Sequence, residues 1–264
     1  EAGADWVQLD EPCLALDQDA GGHAAYRKAY AGLSGAGGPQ ILLASYFGAL
    51  GDNLALAVGL PVHGLHVDLA RAPHQLDAVL DVLPTDRVLS AGAVDGRNVW
   101  RSRPDKLLPL LRKAHARLGD ERLWLAPSCS LLHVPINLDA EVALPPERRA
   151  SMAFAKQKLE ELRAYADALA GHAAAEAVLH AQQAVLDGQA QLAGVRNPAV
   201  RARLDALSPQ TALRRSAYAT RRILQAEVLG LAPLPTTTIG SFPQTDDLRR
   251  ARAAHRAGKL SDAA

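Results

Sequence analysis

The sequence predicts an α/β fold with a parallel sheet, and two observations predict it. Short apolar runs alternate with amphipathic stretches through the first half of the chain, and each run ends in polar or turn-forming residues. Strands that alternate with helices imply βαβ units, whose strands run parallel. The runs are Trp6–Asp10, Ile41–Tyr46, Gly64–Asp68, Val88–Gly92 and Leu123–Pro127. Five such units make part of a barrel or an open sheet.

The stretches between them read as helices. Tyr26–Leu33 and 52–58 are short. His74–Leu83 carries Leu76, Val79, Leu80 and Leu83 at helical spacing, and Pro104–Leu118 has proline in its first turn. After Pro145-Pro146 the strand signal stops for some 85 residues. Residues 147–170 read as one long helix with Met152, Ala155, Leu159, Leu162 and Leu169 as its apolar stripe, and its Arg and Glu residues as a solvated face. Further helices are expected over 173–192, from Asn197-Pro198 onward, and over 211–229. Ala232-Pro233-Leu234-Pro235 then stops the helix, and a short threonine strand leads into the Ile239-Gly240-Ser241 turn.

Bulk composition narrows the function. The 264 residues carry 29 basic and 28 acidic side chains, a net charge of +1, which gives no electrostatic reason to expect nucleic acid or an anionic membrane. Aromatic residues are 4% of the chain, too few for a base-stacking surface. Two cysteines, Cys13 and Cys129, make no disulfide framework, so a reducing, cytoplasmic setting is expected. The uncharged run 29–51 is interrupted by Ser34–Pro39 and reads as a loop feeding a strand, not a membrane span. Both ends read as cut, so the chain is expected to be a piece of a longer protein.

In a parallel α/β protein the carboxyl ends of the strands share one face, where sites form. Asp10-Glu11-Pro12 offers carboxylates for acid–base work or an amine ligand, or else a capped strand end. His66 and Asp68 lie on one side of a strand, because side chains repeat every second residue. With Cys129 at a neighbouring strand end they could converge on zinc, although no fourth ligand is evident; a hydrogen-bonded core histidine is the alternative. Cys129 and His133 invite a nucleophile reading, but nothing marks an oxyanion hole. Asp95–Arg101 places two arginines and a tryptophan in a rim loop, to hold an anionic tail or to brace a carboxylate. At the Ile239-Gly240-Ser241 turn, Gly240 lets a ligand approach the backbone, Ser241 offers a hydroxyl, and the following helix start offers free N–H groups.

The segments WVQLDEPCL, GLHVDLARAP, LSAGAVDGRNVWR, APSCSLLHVPINL and LPTTTIGSFPQT, in that order, resemble cobalamin-independent methionine synthase. The resemblance implies two (β/α)8 TIM barrels joined by a helical linker. Residues 1–145 would be the later strands of the N-terminal barrel. Residues 146–233 would be its closing helix and the interdomain linker, and 234–264 the first strand and helix of the catalytic barrel. The implied reaction moves a methyl group from 5-methyltetrahydropteroyltri-L-glutamate to homocysteine, with zinc holding the thiolate, in a monomeric enzyme. Of the family's ligand-binding motifs, Ile239, Gly240 and Ser241 correspond to those that hold the amino-acid end of homocysteine or methionine. The zinc ligands are expected outside this chain, and so is the catalytic proton donor. Asp10, Glu11, His66, Asp68 and Cys129 then become a relict site, now structural. A non-catalytic scaffold that docks the folate tail is the alternative reading.

Overall fold

The computed structural model describes residues 3–34, 38–189, 195–237 and 244–261. Five parallel strands form one sheet: β1 (Trp6–Asp10), β2 (Gln40–Ala44), β3 (Gly64–Asp68), β4 (Val88–Val94) and β5 (Leu123–Pro127), each hydrogen-bonded to the next in chain order. All five fall on the apolar runs read from the sequence. β4 extends two residues further than expected, with a register irregularity between Gly92 and Val94, after which Val94 pairs with Pro127.

Side chains alternate across this sheet. The outward set, including Ile41, Leu43, Leu65, Val67, Leu89 and Ala91, is buried against the helices that follow the strands. These are α1 (Ala20–Ser34), α2 (Leu54–Gly59), α3 (Leu76–Val82) and α4 (Pro104–Arg122). Leu76, Val79 and Leu80 of α3 and Leu107 and Leu111 of α4 form the matching stripe. α1 starts six residues earlier than the apolar spacing suggested, because Asp19 accepts the Gly22 N–H at 2.7 Å and stabilises the first turn. Gly119, at φ 71°, ends the regular part of α4 at the expected point.

The opposite face is concave. Trp6 of β1 and Trp124 of β5, on the two outermost strands, meet edge-on with ring centroids 4.7 Å apart. A Cβ on Gly64 would come within 2.7 Å of Val88, 2.9 Å of Leu42 and 3.4 Å of Trp6, so the middle strand carries glycine where these side chains converge. One step further along the strands, Gln8, Ala44, His66 and Ser90 occupy the same face, toward the carboxyl ends.

The long helix expected over 147–170 is two. α5 (Pro146–Ala150) stops, and α6 (Ala155–Leu169) starts afresh. Between them the backbone pairs with the loop after β4: Met152 bridges Trp100, Ala153 N–H donates to Val99, and Arg101 N–H donates to Ser151. Those tertiary hydrogen bonds replace the helical ladder at residues whose apolar spacing alone reads as continuous helix. α7 (Ala173–Gln189) packs beside α6 and α4. The first compact unit therefore runs past residue 145 to Pro198.

The second unit spans 199–264 and contains most of α8 (Pro198–Asp205), α9 (Tyr218–Leu229) and α10 (Asp246–Arg256). Gly230, at φ 59°, terminates α9, and the Thr245 hydroxyl accepts the Leu248 N–H to start α10. Among its described residues none is buried. Of the expected threonine strand, 235–237 have no strand pairing, and Thr238, Ile239, Gly240 and Ser241 lie outside the described residues.

Candidate functional site

The carboxyl ends of the strands frame a cleft of about 320 Å³ lined by Asp10, Tyr46, His66, Ser90, Cys129 and their neighbours. Of the expected rim residues, Asp10, His66 and Cys129 line it together, and His66 and Cys129 are committed to partners within the chain.

Asp10 and Glu11 part ways. Asp10 stays exposed in the cleft, with Gln8 Nε2 donating to its Oδ1 at 2.6 Å. Nearby, the Tyr46 phenol is pushed above its ordinary range, first by burial and then by the Asp10 charge. Glu11 turns behind the sheet, where the hydroxyls of Tyr26 and Tyr30 donate to its two oxygens at 3.1 and 3.0 Å. Burial and the Glu11 charge raise the Tyr26 phenol to about 12. Of the pair, only Asp10 is available to a ligand.

His66 is buried, with Nδ1 2.9 Å from Ser90 Oγ and Nε2 3.2 Å from the Ser128 carbonyl. A carbonyl only accepts, so Nε2 carries the proton and Nδ1 accepts from Ser90. Neither nitrogen has a lone pair left for a metal. Burial pulls the imidazole below its ordinary 6.5, opposed by the Ser128 bond and by Asp68. A histidine kept neutral in the fold binds fewer protons than in the unfolded chain. Its contribution is present above about pH 6.5 and is lost as pH falls below it. The His66→Gln variant is expected to lose less stability than the wild type between pH 6.5 and 4.5 in denaturant titrations; equal slopes would contradict the neutral, buried assignment.

Asp68 is 1% exposed and accepts backbone N–H groups from Phe47 at 3.0 Å and Arg71 at 2.8 Å. Burial raises its carboxyl and these bonds lower it. Its partner Phe47 sits at φ 78°, a region that costs a bulky residue on the order of 1–3 kcal/mol, so Asp68 holds a strained turn at the end of β2. Cys129 is buried, its thiol directed to the Ser130 carbonyl at 3.7 Å and raised by burial, away from a reactive thiolate. His133 packs edge-on to the Phe47 ring at 5.9 Å.

The donors thus fail the test for zinc: His66 spends its one lone pair on Ser90, and Asp68 is tied to the Phe47 and Arg71 amides. Among the described residues no group of three His, Cys, Asp or Glu side chains could hold a metal ion.

The arginine loop divides similarly. Arg97 lies over the Phe47 ring, its guanidinium carbon 4.4 Å from the centroid. Arg101 braces a carboxylate, 3.8 Å from Glu161. Sequence reasoning missed Glu161 and its neighbour Lys158, both buried on α6. Their surroundings in the sequence, KQKLEEL, look like a solvated helix face, and only the packing of α6 against the loop after β4 reveals otherwise. Among the described residues no helix is long and apolar enough to cross a membrane.

Comparison with known proteins agrees with the resemblance read from the motifs. Residues 1–119 match the family model described as cobalamin-independent synthase, N-terminal domain, and residues 234–264 match the one described as cobalamin-independent synthase, catalytic domain. The chain is 53% identical to the 5-methyltetrahydropteroyltriglutamate–homocysteine methyltransferase of Xylella fastidiosa (strain 9a5c), over 99% of this chain and 34% of that protein. It is 52% identical to the protein of the same name from Caulobacter vibrioides, over 99% of this chain and 34% of the relative. For the Burkholderia thailandensis relative the figures are 50%, 98% and 34%. The chain spans about a third of the length of these curated relatives. With the N-terminal and catalytic domain models matched in order along one polypeptide, the chain belongs to the cobalamin-independent methionine synthase family.

Proposed function

We propose that this chain is the middle third of an enzyme that transfers the methyl group of 5-methyltetrahydropteroyltri-L-glutamate to homocysteine, forming methionine. The observation that carries the reading is the match to both domains of one family, alongside relatives about 50% identical whose names state that reaction.

The sheet supports a finer reading. Five parallel strands in unbroken chain order, curled until Trp6 meets Trp124, suit the later strands of a (β/α)8 barrel. Residues 1–145 are then the end of the first barrel, 146–233 its closing helix and the linker, and 234–264 the start of the catalytic barrel. Ile239, Gly240 and Ser241 hold the amino-acid end of homocysteine or methionine. Bound zinc would keep the homocysteine thiol ionised, and its ligands lie outside residues 1–264. Asp10, Glu11, His66, Asp68 and Cys129 keep the shape of a site without its chemistry, since Glu11, His66, Asp68 and Cys129 are committed to internal hydrogen bonds or burial and the exposed Asp10 already accepts from Gln8. The enzyme works as a monomer in the cytoplasm.

The test is methionine formation by the intact protein from homocysteine and the triglutamyl methyl donor, without cobalamin. Turnover is expected, and Ser241→Ala is expected to raise KM for homocysteine by about tenfold, the effect of one lost ligand hydrogen bond. Absence of turnover in the unmodified protein would overturn the reading; an unchanged KM would remove Ser241 from the site.

A further inference from the structure

The loop after β4 has no regular secondary structure between Asp95 and Arg103, yet its second half is fastened on three sides. Lys158 of α6, with no exposed surface, donates from Nζ to the Trp100 carbonyl at 3.1 Å. Glu161, one turn on and 2% exposed, accepts the Ser102 N–H at 3.2 Å. From α7, Gln182 Nε2 bridges the Ser102 carbonyl at 2.7 Å and Glu161 at 2.8 Å. Tyr165 closes the set, its hydroxyl 2.9 Å from Ser102 Oγ. The first half of the same loop carries Arg97, seated over the Phe47 ring.

We propose that Lys158 and Glu161 latch residues 99–103 onto α6 and α7, and that release of this latch frees the loop while the sheet stays folded. The sheet is held by ladder hydrogen bonds and an apolar core. The loop is held by two backbone hydrogen bonds to residues 151–153 and by a few buried polar groups whose balance depends on charge. A segment of that kind opens at lower free energy than the core beneath it. The inference does not depend on the reaction proposed above.

Charge gives the latch a readable signature. Facing Glu161 are Lys158 and Tyr165 from its own helix, Arg101 and Ser102 from the loop, and Gln182 from α7; Asp95 and Cys129 lie near Lys158. Burial raises the Glu161 carboxyl from 4.5 to about 7, against the pull of Lys158 and Arg101, and the same burial lowers Lys158. Opening the loop returns Glu161 to water and to its ordinary range. Between those two values the closed loop holds a proton that the open loop releases. The closed form is therefore favoured at low pH and weakens as pH rises through about 7.

Hydrogen exchange in the intact protein, corrected for intrinsic rates, tests this. Protection of the Arg101 and Ser102 amides should fall about tenfold or more between pH 5.5 and 8, while β3 and β4 amides hold theirs. In Glu161→Gln the loop profile should become flat. A flat wild-type profile, or an equal loss spread through β3 and β4, would overturn the proposal. Should the variant fail to fold, the wild-type profile decides alone.

Discussion

Replacing Gly92 with alanine is expected to destabilise the first unit by about 2–4 kcal/mol, the combined cost of overpacking and of displaced buried hydrogen bonds. The new Cβ would lie 2.7 Å from the Val67 carbonyl oxygen and 2.9 Å from both Cε1 and Nε2 of His66. The carbonyl belongs to the neighbouring strand and cannot withdraw without breaking the ladder. The imidazole can swing only by giving up Ser90 and the Ser128 carbonyl, leaving two buried polar groups unpaired. Gly32, within α1 and with nothing inside 4 Å of a built Cβ, is the matched control. Alanine there should be neutral or stabilising by up to about 1 kcal/mol, through helix propensity. Denaturant midpoints of the two variants settle the matter. A Gly92→Ala loss no larger than the Gly32→Ala change would mean that His66 does not sit against β4 as described.

How far the sequence speaks depends on whether the signal is local. The five strands are legible because each apolar run ends in groups that cannot continue a strand, and β4 runs long only because its polar stop, Asp95, lies beyond Val94. The site is legible as a list but not as an arrangement. Asp10 and Glu11 are adjacent in sequence yet go to opposite sides of the sheet, and nothing local says that Tyr26 and Tyr30 will claim Glu11. His66 and Asp68 do share a face, but spacing cannot tell a metal ligand from a side chain satisfied by Ser90 or by the Phe47 amide. The break at 151–154 is invisible because its cause is pairing with Val99 and Arg101, some fifty residues away. Charge patterning fails outright at Lys158 and Glu161: on a helix packed against solvent they would be a surface pair, and it is the loop after β4 that covers them.

That cover makes the Lys158–Glu161 pair the second site of large expected effect. Lys158→Met keeps most of the side-chain length and removes the charge, leaving the buried Glu161 carboxylate with the half-buried Arg101, 3.8 Å away, as its one remaining cation. Breaking a buried pair in this way costs about 3–5 kcal/mol, whereas replacing both members with neutral groups is often neutral. The single variant should therefore lose about 3 kcal/mol at pH 8, and Lys158→Met with Glu161→Gln should recover most of it. The loss should also shrink at pH 5, because a carboxyl already raised to about 7 is protonated there and no longer needs a cation. The sign separates charge from packing: a packing defect at Lys158 costs the same at pH 5 and pH 8 and is not repaired at Glu161. Chemical denaturation of the four members of this cycle at both pH values gives the coupling directly, and additive, pH-independent losses would reduce Lys158 to a space-filling side chain.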